Sequence, residues 1–182
     1  CSGKFVVVHN GIIENYQSLR AELKSKGHVF QSETDTEVLA HLVEHHYQGD
    51  LKAAVQKVLA AVTGSYAMVV ASAREPYRLI CARKDSPLII GLGEGENFIA
   101  SDIPALLKYT RRTVVLADGE LAEVTRDSVA VEDEKGNGIE KKVMYVEWDA
   151  ASAEKEGYDH FMLKEIYEQP RAIRDTLRGR IT

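Results

Sequence analysis

The chain has 182 residues, 45% of them hydrophobic, which is enough for one sizeable core or for one domain with a tail. Its 23 basic and 28 acidic side chains leave a net charge of −5, without the basic excess that a phosphate-tracking surface needs, so no nucleic acid partner is expected. Two cysteines, Cys1 and Cys81, cannot make a disulfide framework. No run approaches the roughly 20 apolar residues of a membrane span, and no signal-like stretch opens the sequence, so the expectation is a cytoplasmic protein with no membrane contact.

The first element is the run Phe5-Val-Val-Val-His-Asn-Gly-Ile-Ile13, which reads as a buried strand feeding a tight turn at Asn10-Gly11. A side-chain amide beside a backbone N–H that no Cβ shields is a possible donor pair for the oxyanion of acyl chemistry. Asn-Gly between apolar runs is also the signature of a hairpin turn, and the dipeptide alone favours that reading. Asn15 then caps a helix with apolar positions Tyr16, Leu19 and Leu23, closed by Gly27. A short extended piece, 28–31, leads to Thr34-Asp-Thr-Glu37, which has the form of a capping box before Val38, Leu39, Leu42 and Val43. Asp35 falls in the first turn of that second helix, where the dipole favours a carboxylate; on local sequence alone, capping and charging the helix start is the favoured account of it.

Asp50 opens a third helix, Leu51 to Ala61, stopped at Thr63-Gly64. The period then changes to that of strands at 65–73, 77–83 and 87–91, read as an antiparallel meander that 98–101 continues. One or two helical turns are expected at 103–107. Strands follow at 113–116, 120–124 and 128–131, with turns at Asp118-Gly119, Arg126-Asp127 and Lys135 to Gly138. From Met144 to Gly157 the pattern becomes an acidic, alanine-rich surface passage. A helical pattern returns at Phe161, broken by Pro170. Phe161, Ile166, Ile173 and Leu177 form a stripe that would face another domain.

Other groupings carry less. His41 and His45 have the i, i+4 spacing that can hold zinc, but no further ligand follows at suitable spacing, and a solvated helix face is the simpler account. Gly91, Gly93 and Gly95 imitate part of a dinucleotide fingerprint without the helix that would hold a pyrophosphate. Neither a metal nor a cofactor is expected.

The uninterrupted stretch VVVHNGIIENYQSLRAELKSKGHVFQSETDTE from Val6 to Glu37 resembles the glutamine amidotransferase domains whose nucleophile is an N-terminal cysteine. The segment KEIYEQPRAIRDTLRGRI from Lys164 to Ile181 is similar to the boundary between such a domain and a sugar isomerase domain. The resemblance implies an α+β fold: a four-layer αββα sandwich of antiparallel sheets, of the N-terminal-nucleophile hydrolase type, incomplete at its N-terminus. It implies that Asn10 and Gly11 supply the oxyanion hole and that Asp35 grips the α-amino group of glutamine. It further implies glutamine as substrate, ammonia passed to fructose-6-phosphate in an isomerase domain, and a homo-oligomeric parent. Amidotransferases of purine synthesis share the general pattern of the first part, but the 164–170 segment weighs against them, and a non-catalytic glutamine-binding module is a further alternative.

Cys1 does not fit the nucleophile. Along one extended strand it would lie about 30 Å from Asn10 at roughly 3.3 Å per residue. It is followed by Ser2-Gly3-Lys4 instead of the family's Gly-Ile, and the family's Arg-Trp-Ala-Thr-His loop is missing. The expectation is therefore a partial amidotransferase domain over 1–157, inactive alone, and a linker with the first helix toward an isomerase domain over 158–182.

Overall fold

The computed structural model describes residues 3–147 and 157–177, in two compact units, Cys1–Val146 and Glu147–Thr182. The first unit opens with β1 (Phe5–Ile13), then α1 (Tyr16–Ser25), α2 (Asp35–His46) and α3 (Leu51–Ala61). The strands β2 (Gly64–Ser72), β3 (Arg78–Lys84), β4 (Ile89–Leu92), β5 (Asn97–Ala100) and β6 (Arg112–Val115) follow. They are succeeded by β7 (Leu121–Thr125), β8 (Val129–Glu132), β9 (Gly138–Ile139) and β10 (Met144–Tyr145). A six-stranded sheet has the order β1-β2-β3-β7-β8-β9, and a four-stranded sheet the order β10-β6-β4-β5; every strand pairing is antiparallel. The fold is thus α+β with two antiparallel sheets, as expected. The middle of the chain is not one continuous meander, because β4, β5 and β6 leave for the second sheet before β7 returns beside β3.

Side-chain alternation decides which core each residue joins. On β2 and β3, Met68, Val70, Ile80 and Ala82 pack with Leu39, Val43, Val55 and Val58 of the helices. Their neighbours Ala67 and Cys81 point the other way, into a second core with Ile90, Val114, Leu116, Ala122 and Val124. The helices therefore cover one face of the six-stranded sheet while the four-stranded sheet covers the other. On the far side of β4, a Cβ at Gly91 would meet Thr110 Cγ2 at 2.8 Å and Leu106 Cδ2 at 3.4 Å. Residues 103–110 lie there as hydrogen-bonded turns, where a helical turn or two was expected.

Several local expectations change. β1 is buried on one face only: Phe5 and Ile13 join the helix-side core, but Val6, Val8 and Ile12 are 61%, 66% and 65% exposed, because β1 is the terminal strand and its outer face has no covering strand among the described residues. Nor does the chain turn at Asn10-Gly11. β1 stays in one-to-one register with β2 from Phe5↔Ser72 to Ile13↔Gly64, and the turn falls at Glu14-Asn15. Asn15 makes no side-chain cap; its amide donates to Ala61 O and its Oδ1 accepts from Thr63 N, joining the end of β1 to the α3–β2 connection. Asp50 does cap α3, accepting from Lys52 N at 3.1 Å.

In the second unit, α4 (Phe161–Leu177) runs through Pro170 instead of breaking there. One proline removes a single helical hydrogen bond, and the good helix formers Glu168, Gln169, Arg171 and Ala172 around it carry the helix on. Phe161, Ile166, Ile173 and Leu177 are all exposed. The passage expected over 144–157 begins with β10, and its residues 148–156, like Cys1, lie outside the described residues. Among the described residues no helix is long and apolar enough to cross a membrane.

Candidate functional site

Gly11 occupies a conformation that only glycine tolerates well, with φ +132°, inside a paired strand. A Cβ there would stand 2.2 Å from Ser65 O on β2. Gly64 mirrors it with φ +114° and a would-be Cβ 2.2 Å from Ile12 O. The two glycines let β1 and β2 approach more closely than side chains would allow.

The pairing pattern fixes where the Gly11 N–H points. Glu14 N donates to Thr63 O at 2.9 Å and Ala73 N to Lys4 O at 2.8 Å, so the even-numbered residues of β1 turn their peptide groups toward β2. Gly11 and Ile13, being odd, turn theirs to the open edge of the sheet. There the Ile13 N–H donates to Asp35 Oδ2 at 2.9 Å. Alternate residues on one strand edge are about 6.7 Å apart, which sets the interval between the Gly11 N–H and the Asp35 contact. Asn10, one residue earlier, is exposed on the face shared with Val8 and Ile12. The three residues singled out from sequence are thus brought to one end of β1.

Two neighbours make Asp35 a fixed group. His9 Nδ1 lies 3.1 Å from Thr36 Oγ1, tying β1 to the first turn of α2. Burial holds the His9 imidazole below its ordinary pKa, outweighing the opposing attraction of Asp35 and the Ser65 backbone, so it bridges as a neutral ring. The second neighbour is Glu37. It does not close a capping box on Thr34; it accepts from Gln31 N and Ser32 N at 2.7 Å each and from Ser32 Oγ at 2.5 Å. Burial opposes ionisation of Glu37, but those donors win and hold its carboxyl down to about 2. Arg20 completes the support, donating to Ser32 O and to both Glu33 carboxylate oxygens while its guanidinium lies over the Phe30 ring. His9 and Ser32 were not singled out from sequence, and Glu37 only as part of a capping box, although all three stand within residues 6–37. Their partners are long-range or loop backbone groups that spacing alone does not reveal.

Cys81 is fully buried between the sheets, and desolvation pushes its thiol up to about 12, so it cannot serve as a nucleophile in the folded chain. Cavities of about 450 and 520 Å³ lie elsewhere, the larger lined in part by Gln56, Leu59 and Ala60 of α3, and neither is lined by Asn10, Gly11 or Asp35.

An acidic group and a backbone donor held at a set interval on a sheet edge, in a two-sheet α+β fold, suit recognition of an amino acid amide. Residues 1–108 match the family described as glutamine amidotransferase domain, and the chain belongs to that family. Among its relatives, it is 57% identical over 97% of its length to the glutamine–fructose-6-phosphate aminotransferase (isomerizing) of Aquifex aeolicus. It is 53% identical over its full length to the enzyme of the same name from Pyrococcus horikoshii. The chain spans only 30% and 31% of those two relatives. Among solved structures, the glutamine phosphoribosylpyrophosphate amidotransferase of B. subtilis matches 76% of this chain and 31% of its own, with TM-score 0.63 and 26% identity.

Proposed function

We propose that this chain is the glutaminase portion of an enzyme that hydrolyses glutamine and transfers the ammonia to fructose-6-phosphate bound in another domain, yielding glucosamine-6-phosphate. Identity of 53–57% across nearly the whole chain to relatives of that name supports this over purine synthesis, for which the matched structure is 26% identical.

In this reading Asp35 receives the α-ammonium of glutamine. Asn10 Nδ2 and the Gly11 N–H receive the carboxamide oxygen as it becomes an oxyanion. The observation that carries the assignment is that Ile13 N–H holds Asp35 Oδ2 at 2.9 Å on the β1 edge that the Gly11 N–H shares. About 6.7 Å between alternate peptide groups is close to the reach of an extended glutamine from its α-nitrogen to its carboxamide oxygen. Because Ile13 N already occupies Asp35 Oδ2, the other carboxylate oxygen is the one assigned to the ammonium.

The complete enzyme tests the two roles separately. Asp35→Asn removes a charge-assisted contact of about 1.5–3 kcal/mol and is expected to raise KM for glutamine roughly ten- to hundredfold. Asn10→Ala is expected to lower kcat for glutamate release on the order of 10²–10³ with little change in KM. A loss confined to KM in Asn10→Ala would give that residue a ground-state role. Glutamine binding without glutamate release by the unmodified enzyme would make the domain a binding module.

A further inference from the structure

We propose that His28, His41 and Glu44 form a binding site for a divalent cation of the zinc class on the α1–α2 pair, separate from Asn10 and Gly11 on β1. Each residue offers one ligand atom, and the three atoms all lie within 4.8 Å of one another. His28 follows Gly27 just after α1, while His41 and Glu44 are one turn apart on α2 and so share a face. The His28 Nδ1 to His41 Nδ1 separation is 3.1 Å, and His41 Nδ1 stands 3.8 Å from Glu44 Oε2. Ligands bound at about 2.0–2.1 Å around a tetrahedral ion are about 3.3 Å apart, so the two distances straddle the required edge.

The facing nitrogens add a chemical argument. Two imidazole lone pairs at 3.1 Å repel unless a proton or a cation lies between them. A bound cation answers both at once and draws in the carboxylate that already faces His41. The supporting shell of such a site is present as well. Glu37 Oε1 lies 3.5 Å from His41 Nε2, which is the arrangement in which an outer carboxylate orients a ligating imidazole and leaves Nδ1 for the metal. Glu37 and Glu44 together would offset a dication. His41 is fully buried, so its ring is held in place before any ion arrives.

Three protein ligands leave a fourth position for water. His45 is not assigned to it, since its Nε2 lies 3.3 Å from the Lys26 ammonium. His41 is buried instead of lying on a solvated helix face, and the site was not visible from the His41–His45 spacing, because its donors are His28 from the preceding loop and Glu44 at i+3. Its occupant would also bear on the loop before Asp35. Glu37 touches His41 on one side and Gln31 and Ser32 on the other, so an ion at His41 and the 31–35 segment share one carboxylate.

Zinc alone, titrated calorimetrically into the full chain near neutral pH, is the test. One equivalent is expected to bind and, at about a hundredfold excess over Kd, to raise Tm by about 5–10 °C. Glu44→Gln and His28→Ala should each abolish that shift, Glu37→Gln should weaken binding by about 10–100-fold, and His45→Ala should leave it unchanged. Glu44 is partly exposed, so its amide variant tests the site without emptying the core. Cobalt(II) in place of zinc should give the visible bands of a four-coordinate nitrogen and oxygen site without a thiolate charge-transfer band. No stoichiometric binding, binding indifferent to Glu44→Gln and His28→Ala, or a thiolate band would each overturn the proposal.

Discussion

At Gly11 a methyl group would collide with Ser65 O at 2.2 Å, in a backbone conformation that already disfavours any L side chain. Gly11→Ala is therefore expected to cost about 3 kcal/mol or more and to lower Tm by about 6–12 °C. Gly138→Ala, where nothing lies within 4 Å of the added carbon, should leave Tm within a few degrees; calorimetry of both variants checks the contrast. Sequence marked Gly11 as special but gave a turn as the reason, because the atom it must avoid belongs to a strand far along the chain. Glu37 supplies a pH test at the same scale. Its carboxyl is held down to about 2 in the folded chain, below the ordinary 4.5, so the unfolded state binds the extra proton between those values. The stabilisation, about 3 kcal/mol, is fully present above 4.5 and is lost as pH falls toward 2. Glu37→Gln should flatten the acid limb of the stability curve between those limits, as denaturant titrations at stepped pH would read. Cys81, with its thiol pushed up to about 12, should resist a thiol reagent at neutral pH until the chain unfolds. Peptide mapping after labelling would locate any exception.

Elements were legible where the pattern is local. The third helix begins after Asp50 and ends at Ala61 as expected, since a side-chain cap and a Thr-Gly stop are encoded within a few residues. The capping box at Thr34 was not, because Glu37 has stronger calls on it from Gln31 and Ser32 than from its own helix start. The exposure of Val6 and Val8 could not be read from an apolar run either. Whether a strand is covered depends on its place in the sheet, and β1 is terminal. In α4 the pattern of the flanks outweighed the break expected at Pro170. Restoring the missing donor with Pro170→Ala adds one hydrogen bond to Ile166 O and removes the ring's clash with the preceding turn, so it should strengthen α4 by up to about 3 kcal/mol. Slower amide exchange over 168–173 is the expected reading, and unchanged exchange would mean that the helix already accommodates the ring without cost.

The order of strands is a property of the whole molecule, and alternation of side chains along each strand does not carry it. The run from β3 to β7 crosses to the second sheet and back, which only the fit of Ile90, Val114 and Leu116 against Cys81 and Ala122 decides. Those two cores are made from residues up to Ile139, and the last ties of the first unit are β10 on β6 and the pair Val146 N to Arg111 O and Arg111 Nη1 to Val146 O, at 2.9 and 3.2 Å. A chain ended after Glu147 keeps all of these and is expected to melt in one cooperative transition. A chain ended after Ile139 loses β10, uncovers the edge of β6 and the otherwise fully buried Thr113, and should melt at a lower temperature. Calorimetry of the two truncations separates the outcomes. Loss of cooperativity in the longer one would show that the first unit does not stand on its own cores.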